Sequence, residues 1–495
     1  MTSTEMKRRE FLQATATLGL AAASGALSPR AFAAEALDMR FGASDLRVQP
    51  VLTYNLAQRQ KGRSWRNWGD VQTEEAVTAE VERINGELKH LSGQAEFGLQ
   101  ILPVQKLSAK QQVDGLRETK LDALVVYASG GWTDVLESLA GLGKPMVIFV
   151  REKSGPYYLW HEIVDSRFLR SHTDEVKQTV VGLEDVVVDE PGEILWRLRG
   201  LYGLKNTVGR RIVCVGGPGG WACPEAPERA RQRFQLDMIT VPVPEVNAMV
   251  ESVRKDAAVM AGCKQEARSY MGARGVTSRI SEEAVTDAFL LKRLFRDLMT
   301  RHNACAVTTN ACMNSYAGIM PCLTLTLTND SGYMAYCESD FVNIPAGILM
   351  HYIAGRPTYF CNPTFPHDGK MLFAHCTAPR RMDGRRLEPV TLVTHYESDW
   401  GAATHVQFRK SQAVTVVKPD FEARRWLALT GRIADTPFLA TCRAQIEIAL
   451  DADTQDVIRN MRGFHCQIAY GDWSREVGYA AKKVGIDVQR LAKAV

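Results

Sequence analysis

No cysteine precedes Cys214, and the eleven in the chain are odd in number and fall into no spaced framework. That speaks against a disulfide scaffold in a chain of this size. There is no dense basic run, and the net charge is only +4 over 495 residues, so nucleic acid is not an expected partner. The sequence contains no internal repeat and no low-complexity segment. The run Ala14 to Leu27 is too short and too rich in Ala and Gly to span a membrane, and no later segment is long enough either. The glycine run Gly216-Gly217-Pro218-Gly219-Gly220 lacks G-x-G-x-x-G spacing, and Pro218 removes an amide donor. A strand-to-helix turn therefore explains it better than a phosphate cradle.

What is present begins with an address. Lys7-Arg8-Arg9-Glu10-Phe11-Leu12 leads into the weak apolar run, and Ala31-Phe32-Ala33 offers a small-residue cleavage site. Residues 1–34 resemble a bacterial twin-arginine export signal, which implies a periplasmic or otherwise exported protein. That pathway carries folded proteins, which suits a metal loaded beforehand. The 45% hydrophobic and 23% charged residues are those of a globular chain, and its length predicts two to four domains.

From Leu46 to Val150 apolar strands alternate with helical patterns, and Leu121–Tyr127 and Pro145–Val150 are near-continuous apolar runs, as buried parallel strands are. A second alternation starts at Arg211–Val215. After about Arg380, Val390–His395, Thr404–Phe408 and Ala413–Val417 are short β-rich runs without intervening helices, and a last helix is expected over Ser474–Ala492. The expected class is α/β: two doubly wound parallel-sheet domains (35–190 and 191–379) followed by a smaller antiparallel β-rich domain (380–495).

Three apolar stretches run into candidate metal ligands: Met334 to Glu338, with Asp340 close behind, Met371 to His375, and Arg462 to His465. Carboxylate oxygen with imidazole nitrogen fits Mn²⁺, Fe²⁺ or Zn²⁺. Each candidate ends a strand-like run, and α/β sheets collect ligands beyond the carboxyl ends of strands. Cys337, Cys376 and Cys466 adjoin these ligands. On a strand neighbours face opposite sides, so they read as small buried residues, as does Cys361.

At these residues the chain resembles the L-fucose/L-arabinose isomerase family, most visibly its relatives with a shared C-terminal domain. The likeness runs through Pro321-Cys322-Leu323, Cys337 to Asp340, Gly355 to Phe360, Ala374 to Pro379, and Phe464-His465 before Tyr470-Gly471-Asp472. It covers about residues 205 to 475. The resemblance implies a divalent metal, usually Mn²⁺, and an aldose–ketose interconversion by proton transfer beside a carbonyl. It makes Glu338 a ligand and base, and His375 and His465 metal or substrate ligands. It also implies a homo-oligomer in which Arg63, Trp65 and Trp68 could complete a neighbour's site.

One departure matters. Where the family places its second catalytic carboxylate, this chain has Cys361-Asn362-Pro363. An amide cannot accept a proton near neutral pH. Asp340 could substitute as the second catalytic group, with His367 and Asp368 as weaker choices, and Asn362 would contact substrate. Arg380-Arg381 could bind an acidic sugar or be solvated, and His395 and Glu397 could share a cavity or face solvent, the latter being preferred. A carbohydrate-binding protein without turnover, and a sugar epimerase or lyase, remain alternatives to the isomerase.

Overall fold

The computed structural model describes residues 39–65, 71–130, 133–155, 181–310 and 315–491. The signal-like segment and Trp68 lie outside them. Among the described residues no helix is long and apolar enough to cross a membrane.

The first sheet is parallel. Strands β1 (Leu46–Tyr54), β2 (Leu99–Ile101), β3 (Gln105–Leu107), β4 (Ala123–Ser129), β5 (Met146–Val150) and β6 (Val186–Val188) run in the order β2-β1-β4-β5-β6, with β3 beside the far end of β1. Every residue of β4 and β5 is buried, because helices cover both faces of such a sheet. Helix α1 (Glu74–Gly93) starts where Thr73 accepts a hydrogen bond from the amide of Ala76, with Glu74 and Glu75 in its first turn.

The second sheet is also parallel. It holds β7 (Arg211–Val215), β8 (Asp237–Val241), β10 (Ala306–Thr309) and β11 (Met334–Tyr336) in the order β11-β10-β7-β8. The intervening β9 (Val276–Ser278) leaves this sheet to pair elsewhere.

The C-terminal architecture is a closed barrel. Strands β12 (Tyr359–Pro363), β13 (Lys370–His375), β16 (Ala413–Lys418), β17 (Arg425–Asp435), β18 (Ala444–Leu450) and β19 (Cys466–Tyr470) pair antiparallel in the order β16-β19-β12-β13-β18-β17, and β16 with β17 closes the ring. Closure removes the unpaired edges that such short strands would otherwise expose. The α/β class with two parallel sheets and an antiparallel β-rich C-terminal unit is therefore present.

Its details differ from expectation in three ways. The barrel takes β12 and β13 from before Pro379. The runs β14 (Val390–Val393) and β15 (Ala403–Val406) stay out of it and form a small sheet with β9. The expected helix over 474–492 stops early: it spans Ser474–Lys482, and β20 (Asp487–Leu491) then pairs parallel to β17. Pairing with an open strand satisfies a row of backbone groups that a local pattern does not reveal.

One helix joins the second sheet to the barrel. Helix α2 (Ile344–Ala354) is buried on every side, as a helix apolar all round must be. A Cβ on Gly347 would lie 2.6 Å from Gln467 Nε2 and 2.7 Å from the Tyr336 ring. Glycine thus lets α2 sit directly against both β11 and β19, the strands that flank the candidate site.

Candidate metal centre

Glu338 follows β11 by two residues, but not on a continuing strand. Glu338 and Ser339 both have left-handed backbones, with φ of 67° and 45°. Such residues cost on the order of 1–3 kcal/mol each and persist only where surrounding bonds over-determine them. The bonds are present. The amide of Gly219 donates to Ser339 O (3.1 Å), and that of Phe341 to Gly219 O (3.0 Å). The amide of Val342 donates to Asp340 Oδ1 (3.1 Å), and that of Ile344 to Asp340 O (2.9 Å).

This turn aims Glu338 at the barrel. Its Oε1 lies 3.4 Å from His375 Nε2 and its Oε2 lies 3.1 Å from His465 Nε2. His375 is the last residue of β13 and His465 immediately precedes β19, so the two strands flank β12. Phe360 of β12 packs against both imidazoles, with ring centroids 5.2 Å from His375 and 4.2 Å from His465. The carboxyl-end pattern therefore describes Glu338 and His375, whereas His465 enters from the amino end of its strand. Antiparallel neighbours alternate direction, so a barrel can bring ligands from either strand end to one place.

The far side of each imidazole is also engaged. His465 Nδ1 lies 2.7 Å from Asp340 Oδ2, and His375 Nδ1 lies 3.0 Å from Thr377 Oγ1. Asp340 and His465 are completely or almost completely buried. The aspartate accepts, so His465 Nδ1 carries the proton and Nε2 presents a lone pair. That lone pair faces Glu338 Oε2 at 3.1 Å, yet neither atom has an aligned hydrogen-bond partner. Two lone-pair-bearing atoms facing each other in a dry site require a cation or proton between them. Two metal–ligand bonds of about 2.1 Å meeting near 100° place their donors about 3.2 Å apart, which matches both contacts.

Cys337 joins the cluster, contrary to the expectation that it faces away. Cys337, Glu338 and His375 bring one ligand atom each to within 4.8 Å of one another. This set could hold a metal ion. Strand alternation fails for Cys337 because β11 ends at Tyr336 and the left-handed turn begins at Glu338. The other cysteines do turn away: Cys376, just past the end of β13, packs with Cys322 and Ala403, and on β12 Cys361 Sγ lies 3.9 Å from Cys466 O.

A continuing strand would put Asp340 on the face of Glu338 as a second acid–base group. Instead it sits behind His465, bonded to that ring and to its own turn. Asn362 is half-buried on β12, two residues beyond Phe360 and paired with Ala374. Arg380 is neither a surface cation nor a member of the cluster. It is buried, its Nε donates to Glu388 O (2.8 Å), its amide donates to Asp330 Oδ1 (2.8 Å), and its guanidinium covers the Tyr270 ring. His395 is buried, not solvated, and meets Ser398 Oγ at 3.0 Å, while Glu397 is exposed. The presumed alternation breaks because β14 ends at Val393. His367 and Asp368 are exposed, as is Arg63, with Trp65 half-buried.

Thr377 and Cys337 escaped sequence reasoning. A hydroxyl two residues after a ligand carries no signal by itself, and positive φ at Glu338 is not legible in its residue type. Compared with protein-family models and with curated proteins, the chain matches none.

Proposed function

We propose that this chain is a divalent-metal-dependent enzyme of the sugar-isomerase type that moves a proton beside a carbonyl, exported through a twin-arginine signal and assembled as a homo-oligomer. The observation that carries the metal-dependent part is the single Glu338 carboxylate, whose two oxygens face two imidazole nitrogens, one with an aligned partner behind it in Asp340 and the other in Thr377. The sugar substrate and the oligomer rest on the resemblance to L-fucose/L-arabinose isomerases.

Glu338, His375 and His465 would hold the metal, and Mn²⁺ is the ion we propose, with Cys337 beside it. If the Cys337 thiolate also ligates, the softer set favours Zn²⁺ or Fe²⁺. A divalent cation at this place would polarise a carbonyl and acidify the adjoining C–H. Glu338 is the carboxylate available to take that proton. Asp340 keeps the proton on His465 Nδ1 and so keeps Nε2 available. Glu338, His375, His465, Cys337 and Asp340 are all buried.

The amide at Asn362 favours a chemistry with one carboxylate. A single base can take a proton from one carbon and return it to the neighbouring carbon on the same face, while the hydroxyl proton passes to the former carbonyl oxygen, which gives isomerisation. Returning a proton to the original carbon from the other face gives epimerisation, which needs a second acid on that face that the amide at 362 does not supply. A binder without turnover is the remaining alternative. Metal analysis of purified protein combined with proton exchange on candidate sugars separates them. Bound Mn²⁺ with solvent deuterium incorporated beside the carbonyl is expected. Sugar bound without any exchange would leave only the binder.

A further inference from the structure

An exposed aromatic pair stands against the metal centre. Trp221 and Phe464 stack with ring centroids 5.0 Å apart and planes at 24°, yet remain 54% and 41% exposed. The Phe464 ring meets His465 edge-on at 4.6 Å, and the Trp221 ring lies 6.2 Å from the same imidazole. Two other exposed aromatic residues are engaged differently: Trp400 donates to Gly318 O, and Phe438 packs on His405.

The backbone beneath this pair is strained and fastened. Trp221 has φ of 52°, which for a bulky residue is an outlier. Such strain persists where the surroundings over-determine it and clusters at ligand sites. A Cβ on Gly220 would lie 2.2 Å from Cys223 O, so only glycine allows the turn to close this tightly. The preceding Gly219 exchanges two backbone hydrogen bonds with the turn that carries Glu338, at 3.1 Å to Ser339 O and 3.0 Å from the Phe341 amide. On the other side, Lys418 Nζ donates to Phe464 O at 2.9 Å, next to the ligand His465. The aromatic pair and the ligands are thereby tied to the same two segments and cannot shift independently.

We infer that Trp221 and Phe464 form the floor of a substrate subsite that takes the C–H face of a polyhydroxylated carbonyl compound. This rests on the proposed function. A sugar presents C–H groups on its faces and hydroxyls around its edge. Stacking the former on an aromatic surface leaves the carbonyl end free to reach Glu338 and the two histidines. The glycine run 216–220 then serves as the support of that surface rather than as a phosphate cradle.

The test uses the full chain loaded with Mn²⁺ and titrates pentoses, hexoses and their polyols by calorimetry, alongside metal content and sedimentation. Trp221→Ala and Phe464→Ala are each expected to weaken binding by about tenfold or more, with metal content unchanged and Trp221→Phe retaining most of the affinity. If the wild type binds a sugar or polyol and both alanine variants bind it equally well, the subsite is refuted while the proposed function stands. The subsite is refuted in the same way if the variants only change the sedimenting species, because a second copy would then be what covers the pair. If the wild type holds metal but binds no sugar or polyol, the proposed function fails and takes the subsite with it.

Discussion

Asp340→Asn tests the logic of the metal centre most directly. Asp340 is fully buried and its Oδ2 lies 2.7 Å from His465 Nδ1, while Oδ1 accepts from the Val342 amide. The amide side chain keeps the volume but can satisfy only one of these two donors, since its nitrogen must face the other. Either the imidazole loses its partner or the Glu338 turn loses an anchor. Removing the group that orients a ligating histidine typically costs about 10- to 100-fold in metal affinity, or about 1.4 to 2.7 kcal/mol. We expect the Mn²⁺ dissociation constant of Asp340→Asn, measured by competition with a chelating dye, to rise by that range. Thermal stability without metal should fall by about 1–3 kcal/mol, the cost of one buried donor left unpaired. A dissociation constant within twofold of wild type would refute the idea that Asp340 holds His465 for a metal.

Three further outcomes follow from the structure. Cys337→Ser should leave Mn²⁺ affinity within a few-fold if the Glu338–His375–His465 set is the binding set, and should abolish tight binding if the thiolate ligates; metal analysis after dialysis distinguishes these. Gly347→Ala should destabilise the fold by about 1–3 kcal/mol in thermal unfolding, because its Cβ would fall 2.6 Å from Gln467 Nε2 and 2.7 Å from the Tyr336 ring. Glu193 makes hydrogen bonds to Arg475, Trp196 and Arg197 that outweigh burial and lower its carboxyl from 4.5 to about 2. Its folded value lies below its unfolded one, so its stabilising contribution is complete above about pH 4.5 and is lost as pH falls toward 2. Glu193→Gln should flatten that part of the stability profile in acid titration monitored by circular dichroism, modestly, since the side chain is about a third exposed.

The parallel strands were legible because burial on both faces writes itself as an unbroken apolar run: Leu121–Tyr127 and Pro145–Val150 became β4 and β5 with shifts of only one or two residues. The barrel strands were legible as strands but not as partners. Nothing local in Val390–His395 says that it pairs with β9, more than a hundred residues earlier, instead of closing the barrel. The buried Arg380 and His395 misled for the same reason: polarity suggested solvent or substrate, whereas the fold brings in Asp330 and Glu388 to bond Arg380 and Ser398 to meet His395.

For the centre itself, residue chemistry alone was enough to single out Glu338, His375 and His465, since a carboxylate and two imidazoles ending apolar runs are a donor set whatever the fold. Their geometry was another matter. The left-handed backbone at Glu338 and Ser339 depends on hydrogen bonds from Gly219 and Phe341, and it alone moved Cys337 into the cluster and Asp340 behind His465. Sequence sets which atoms can donate. Which of them point at one place is decided by long-range backbone bonds and by the close approach of α2 to β11 and β19, and no periodicity records either.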